Sequence, residues 1–235
     1  FFRNPVLLDA LSYAKTHQSN LHLIGLVSAG GVHSHIDHLY ALLELARDQK
    51  VEKLFLHVFT DGRDSSPISG VDSISELQQK INSYGVGKIA TLCGRYFAMD
   101  RNNNWDRIEK AYNAMTKGEG EKISDSVKYL RESYSNKIYD EFIEPAVIIE
   151  DGAPVGLIKE NDSVIFFNFR EDRARQMTRA FVLANFSEFP REFLKNIYFV
   201  TMVQYEEGLP VHVAFRPISV KSPLGKILSE HGLQQ

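Results

Sequence analysis

The sequence predicts an α/β fold, a mostly parallel sheet flanked by helices, and three observations carry that expectation. Short apolar runs of strand length alternate along the chain with stretches of helical period, the pattern of βα units. Polar clusters containing glycine, aspartate and arginine sit directly behind those runs. No internal repeat, low-complexity tract or interdomain linker breaks the alternation, so residues 1–235 read as one domain.

The first element is a helix over "RNPVLLDALSYAKTHQSN". Asn4 can cap it, Pro5 suits its first turn, and Val6, Leu7, Ala10, Leu11 and Ala14 recur at helical spacing. "LHLIGLV" (21–27) is a buried strand ending at Ser28-Ala29-Gly30-Gly31. "HIDHLYALLELARDQ" (35–49) returns to helical period, with Ile36, Leu39, Leu42, Leu43 and Ala46 on one face. The unit then repeats: strand "KLFLHVFT" (53–60), loop "DGRDSSPISG", helix "VDSISELQQKINSYG". Strand "KIATLCG" (88–94) precedes a loop, "RYFAMDRNNN", and the helix "WDRIEKAYNAMTKG". Residues 121–145 read as helical and irregular. Over 146–158 a small antiparallel hairpin, turning at Asp151-Gly152, reads as an insertion at a sheet edge. "SVIFFNF" (163–169) is a strand that leads through "RED" into the helix "RARQMTRAFVLAN". "NIYFVTMVQY" and "VHVAFRP" follow as strands, and "SPLGKILSEHG" is a helix with Pro223 at its start.

Composition narrows the classes of function. Hydrophobic residues make up 43% and charged residues 24%, enough for a real core. The formal net charge of −3 offers no global field for nucleic acid or an anionic membrane, so neither is expected as a partner. One cysteine, Cys93, leaves no internal disulfide framework and fits a reducing compartment. No run approaches about 18 consecutive apolar residues, so no membrane span is expected. The opening "FFRNPVLLDA" has neither a methionine nor a signal-like n-region. It suggests a piece of a longer chain, or one that has lost a leader.

The chemistry-bearing residues gather behind the strands. "SAGGVHSH", "TDGRD", "GRYFAMDR" and "NFREDR" each follow a predicted strand, and in a parallel sheet these loops share the carboxyl edge where ligands bind. They supply Arg63, Arg95, Arg101, Arg170 and Arg173. Five guanidiniums brought together repel unless an anion neutralises them, and their planar forks match carboxylate and phosphate oxygens. A ligand with two anionic groups fits that supply. The blander reading pairs each arginine with an acid such as Asp64, Asp100 or Asp172.

Asp64, in a tight glycine-containing turn beside Arg63, can exchange a proton with a substrate hydroxyl; it can equally only orient Arg63 or bind loop amides. His33, His35, Asp37 and His38 have a spacing that admits a metal. A metal site, however, wants three or four ligands and an ordered outer shell, and the neighbouring loops offer mainly cations. The easier roles are His33 donating an N–H to a phosphate or hydroxyl, His35 bonding at the helix N-terminus, and His38 on the helix surface. His17, His22, His57, His212 and His231 stand apart from any cluster.

"GLVSAGGVHSH", "VFTDGRDSSP", "GRYFAMDRNNNWDRIEKAY" and "FFNFREDRARQMT" resemble the cofactor-independent phosphoglycerate mutases of the metal-dependent, alkaline-phosphatase-related type, and the likeness runs from "FFRNP" to the C-terminus. Such enzymes have two domains. A phosphatase-like domain carries a nucleophilic serine and two manganese ions, and its sequence flanks an inserted transferase domain. The resemblance covers the inserted domain only; "LGKILSEHGLQQ" lies near the family's second interdomain linker. It implies that 3-phosphoglycerate or 2-phosphoglycerate is held by His33, Arg63, Asp64, Arg95, Arg101, Arg170 and Arg173, with Asp64 as acid/base. It also implies phosphoryl transfer through a phosphoserine on the other domain, no manganese in this chain, no mutase activity for this chain alone, and a cytoplasmic, glycolytic setting. The family reads Ser-Asp-Gly-Gly before the histidine, whereas Ala29 stands here; the missing carboxylate changes loop order or hydroxyl contacts. Two other readings are a stand-alone metal-dependent hydrolase using the His33/His35 loop, and a non-catalytic phosphate-binding module.

Overall fold

A computed structural model describes residues 1–216 and 222–233. Pro217, at the end of the last expected strand, and Gln234 and Gln235 lie outside the described residues.

Helix α1 (Pro5–Thr16) starts where Asn4 accepts from the Val6 and Leu7 amides, and its buried Leu7, Ala10, Leu11 and Ala14 face the sheet. Strand β1 (Leu21–Leu26) is buried on both faces, as a central parallel strand must be. Leu21 and Leu23 enter one core with α1, while Ile24 and Leu26 enter the other. Helix α2 (Ile36–Asp48), β2 (Leu54–Thr60), α3 (Gly70–Tyr84), β3 (Lys88–Gly94) and α5 (Trp105–Thr116) fall where the periodicity places them. So do β7 (Ser163–Phe166), α7 (Arg175–Val182) and α8 (Leu224–Glu230), with β7 and α7 shorter than expected. Strands β8 (Tyr198–Thr201) and β9 (His212–Val213) are likewise shorter than their apolar runs.

With β4 (Glu121–Ile123) and β5 (Ala146–Glu150), the sheet order is β4-β5-β3-β2-β1-β7-β8-β9. From β3 to β9 every neighbouring pair is parallel. One face carries the core of α1, α2, α3 and α6 (Ser126–Ser135); the other carries α5, α7 and the short α4 (Arg95–Ala98).

Two expectations are corrected here. Residues 146–158 are not an insertion at the edge. β5 (Ala146–Glu150) lies inside the sheet, antiparallel to β3 and parallel to β4 (Glu121–Ile123), while β6 (Ala153–Pro154) pairs only with β5. Ala146, Val147 and Ile148 are all buried, so this strand needs cover on both sides. The stretch 121–145, read as helical and irregular, holds the true edge strand; β4 is three residues long with Glu121 and Lys122 exposed, and Ile123 alone is too little apolar signal to read. The "RYFAMDRNNN" loop also contains α4, one turn of helix starting on Arg95.

Candidate functional site

Because β1, β2, β3 and β7 run parallel, the segments after them meet at one edge of the sheet. The segment after β1 brings Ser28 and His33, that after β2 brings Asp61, Arg63 and Asp64, Arg95 follows directly on β3, and β7 leads to Arg170 through Arg173.

Asp61 is the node. It is 2% exposed. Its Oδ2 accepts from Ser28 Oγ at 2.6 Å, and its Oδ1 accepts from the Arg63 and Asp64 amides at 3.2 and 3.0 Å and from Arg95 Nη1 at 2.6 Å. Burial pushes the Asp61 carboxyl up, but the bonds from Ser28, the Asp64 amide and Arg95 outweigh it and hold the group below its usual range. Arg95, also buried, bonds Asp64 Oδ2 at 2.5 Å. Burial disfavours its charge, yet the Asp64 and Asp61 carboxylates overcome that and keep the guanidinium charged.

His33 lies between two carboxylates. Nε2 is 3.8 Å from Asp64 Oδ2, and Nδ1 is 3.5 Å from Asp172 Oδ1. Burial first, then Arg95, push the imidazole down to about 4, against the pull of Asp172 and Asp64, so the ring is neutral at neutral pH. Its carbonyl accepts from the Phe169 and Arg170 amides, tying the loop after β1 to the segment after β7. Asp172 meets Arg101 Nη1 at 2.6 Å and Arg170 Nε at 3.2 Å. Burial raises the Asp172 carboxyl, and Arg101, Arg170 and His33 together bring it below the ordinary value.

The site is thus a continuous chain: Asp61, Arg95, Asp64, His33, Asp172, then Arg101 and Arg170. Two residues of the expected set stand beside it. Arg63, 53% exposed, pairs with Glu141 Oε1 at 3.3 Å. Arg173 donates to the Met99 carbonyl at 3.1 Å. Burial and then the charges of Arg101, Arg95 and Arg63 depress the Arg173 pKa, so these guanidiniums are close enough to repel. Among the proposed salt-bridge acids, Asp64 and Asp172 do pair with site arginines. Asp100 does not: it accepts from the Asn102 and Asn104 amides and faces Arg107 instead.

Sequence reasoning missed Asp61 and Glu141. The first sits in the quoted "TDGRD", where an aspartate two and three residues before free amides is a turn-capping signal. Glu141 could not be found that way. It belongs to a 3₁₀ turn (Asp140–Phe142) that nests against the ends of β2 and β3, where a Cβ on Gly62 would meet the Glu141 nitrogen at 2.7 Å and one on Gly94 would overlap its carbonyl oxygen.

The histidines of the loop part company. His35 caps α2 through a bond from the Asp37 amide at 3.3 Å, as expected. His38 is half-buried rather than open on the helix surface: it stacks on Phe1 and meets the edge of Phe169, because α2 is partly covered there by the N-terminal residues. These side chains go to three different neighbourhoods, and among the described residues no group of three or more His, Cys, Asp or Glu side chains is disposed to hold a metal ion. The residues present do not fit a manganese site. His22 and His57, expected to stand alone, form a fully buried pair: Asp162 Oδ2 to His22 Nε2 is 3.1 Å, His22 Nδ1 to His57 Nε2 is 2.9 Å, and His57 Nδ1 to Thr91 Oγ1 is 2.9 Å.

Fold and site together define an α/β protein that presents a neutral, buried imidazole among arginine–carboxylate pairs at the carboxyl edge of a parallel sheet. Comparison with known proteins gives that class a family. A family model described as BPG-independent PGAM N-terminus matches residues 1–207. The chain is 52% identical over 236 residues to the 2,3-bisphosphoglycerate-independent phosphoglycerate mutase of Clostridium perfringens (strain 13 / Type A), a match over 100% of this chain and 46% of that protein. It is 50% identical over 236 residues to the same enzyme of Clostridioides difficile (strain 630), with the same coverage. A crystal structure of Leishmania mexicana phosphoglycerate mutase at low cobalt concentration superposes with a TM-score of 0.82 at 26% identity, over 97% of this chain and 46% of that one. The chain belongs to the 2,3-bisphosphoglycerate-independent phosphoglycerate mutase family, and it spans about half the length of the curated relatives it matches.

Proposed function

We propose that this chain is the substrate-binding, transferase-type domain of a phosphoglycerate mutase, and that 3-phosphoglycerate and 2-phosphoglycerate bind at the edge where His33, Arg63, Asp64, Arg95, Arg101, Arg170 and Arg173 gather. The observation that carries the proposal is the gathering itself, in a chain of this family. Five guanidiniums face four carboxylates (Asp61, Asp64, Asp172 and Glu141) around a neutral imidazole, leaving the cluster one positive charge in excess. Arg63, Arg101 and Arg170 keep about half of their side-chain surface open to solvent and can turn unused N–H groups toward a ligand. A phosphate and a carboxylate arriving together would relieve the repulsion at Arg173. Arg95 is committed to Asp61 and Asp64, and its part is to hold the Asp64 carboxylate where a glycerate hydroxyl can exchange a proton with it.

In this reading the nucleophilic serine, the two manganese ions and the phosphatase-like partner domain belong to sequence beyond these 235 residues. The chain alone then binds without interconverting the isomers. The protein works in the cytoplasm, consistent with the buried thiol of Cys93. Calorimetric titration of the chain with 3-phosphoglycerate, beside a coupled mutase assay with added manganese, tests this. Saturable binding without interconversion is expected; interconversion by the chain, or absence of binding at low salt, refutes it.

A further inference from the structure

Two buried atoms in the site make no hydrogen bond, and they face each other. His33 Nδ1 and Asp172 Oδ1 are both sealed from solvent and lie 3.5 Å apart, and the one other polar contact of Oδ1 is the ion pair with Arg170 Nε at 3.2 Å, which makes no hydrogen bond. Water cannot reach either, and while the Arg170 charge offsets part of the burial of Oδ1, Nδ1 either meets Oδ1 or stays buried unmet. Only one arrangement of the ring proton lets them meet. A carboxylate accepts and cannot donate, so the proton belongs on Nδ1.

The other ring nitrogen makes the opposite tautomer less favourable. Nε2 is 3.8 Å from Asp64 Oδ2, beyond hydrogen-bond reach, and that oxygen already accepts from Arg95 at 2.5 Å. The relative placement of ring and carboxylate is fixed by the backbone: the His33 carbonyl accepts from the Phe169 amide at 2.8 Å and the Arg170 amide at 3.3 Å, immediately before Asp172. Arg101 Nη1 holds the other Asp172 oxygen at 2.6 Å, which aims Oδ1 at the imidazole.

We propose that Asp172 is a positioning residue that fixes His33 as the Nδ1–H tautomer, so that Nε2 presents a lone pair on the Asp64 side of the ring. The proposal rests on the binding function proposed above and sharpens it. The imidazole then accepts a hydrogen bond from a ligand hydroxyl, or from a protonated phosphate oxygen, and does not donate to an unprotonated one. It thereby selects a ligand that has a hydroxyl beside its anionic groups. An acceptor at Nε2 and the Asp64 carboxylate, 3.8 Å apart, also form two acceptors between which one hydroxyl proton can be shared.

Ring-nitrogen NMR tests this on the 15N-labelled chain near neutral pH, with His33→Gln assigning the His33 ring. The expected spectrum has Nδ1 protonated and Nε2 unprotonated. In Asp172→Ala the buried acceptor is gone and the proton moves to Nε2, exchanging the two resonances. Should Asp172→Ala fail to fold, Asp172→Asn decides: its neutral carbonyl is the weaker acceptor, so the Nε2–H share must rise. A proton on Nε2 in the unaltered chain, or a His33 spectrum unchanged by the substitution, overturns the proposal. Titrating 3-phosphoglycerate into the same samples separates the two ideas, since absence of binding sinks the binding function while leaving the tautomer result standing.

Discussion

Replacing Asp61 by alanine tests whether one buried carboxylate holds the site together. The side chain is 2% exposed and receives four donors: Ser28 Oγ, the amides of Arg63 and Asp64, and Arg95 Nη1. Arg95 is 3% exposed, so solvent cannot take over the lost contact. Removing one member of a buried, hydrogen-bonded ion pair costs about 3–5 kcal/mol, because the partner charge stays buried. Asp64 still faces Arg95 and offsets part of this, whereas the two orphaned amides and Ser28 add to it; about 4 kcal/mol is the expected net loss. At roughly 2–4 °C per kcal/mol for a chain of this size, the melting temperature should fall by on the order of 10 °C. Urea unfolding followed by circular dichroism, with the slope held common, measures the loss, and Asp61→Asn, which keeps an acceptor, should lose less than half as much. A loss under about 1 kcal/mol for Asp61→Ala would refute the reasoning, because a surface carboxylate costs no more than that.

Three further outcomes follow from the same geometry. Arg170→Ala should weaken 3-phosphoglycerate binding about tenfold, the low end of a charge-assisted bond at an open site, and the deficit should shrink as salt rises; equal affinities at low salt would remove Arg170 from the binding set. Burial holds His22 and His57 below their ordinary pKa, so the folded state takes up fewer protons than the unfolded chain in acid. The stability they allow is complete above about pH 6.5 and is lost as pH falls through it. Asp140, pushed up to about 6 mainly by burial, works in the other direction but is one group against four, because burial also lowers His33 and His38. Urea midpoints that rise from pH 7 to pH 5 would contradict this. Gly94→Ala puts a Cβ onto the Glu141 carbonyl and must displace the 3₁₀ turn that carries Arg63's partner, so thermal unfolding should come earlier; an unchanged melting temperature would show that the turn yields freely.

What the sequence could and could not reveal follows from the range over which each signal acts. Helix α1 was legible because its cap, its proline and its apolar stripe all lie within a dozen residues. The arginines were legible as a group because strand periodicity places every loop behind a parallel strand on one edge, whatever the order of the strands. Pairings across strands are different, since they require the register. His57 stands opposite Ile24 in one ladder and opposite Thr91 in the next, and His22 lies two residues from Ile24 on the same face. Only that stagger makes two unremarkable histidines a buried chain ending at Asp162. Three-residue β4 escaped for the same reason: its warrant is its partner β5, not its own composition.

The acids of the site make the point in chemical terms. Arginines announce an anion site because they are costly to crowd, whereas aspartates are at home in any turn and announce nothing. Yet here the carboxylates decide what each cation can do. Asp61 commits Arg95 to holding Asp64, Glu141 occupies one fork of exposed Arg63, and Asp172 stands between Arg101, Arg170 and His33. A ligand entering this edge therefore exchanges partners with anions already in place, and its net gain is the difference between two sets of ion pairs. That exchange favours a molecule whose charges match several forks at once over a single phosphate ion, because only the larger molecule replaces all the displaced contacts.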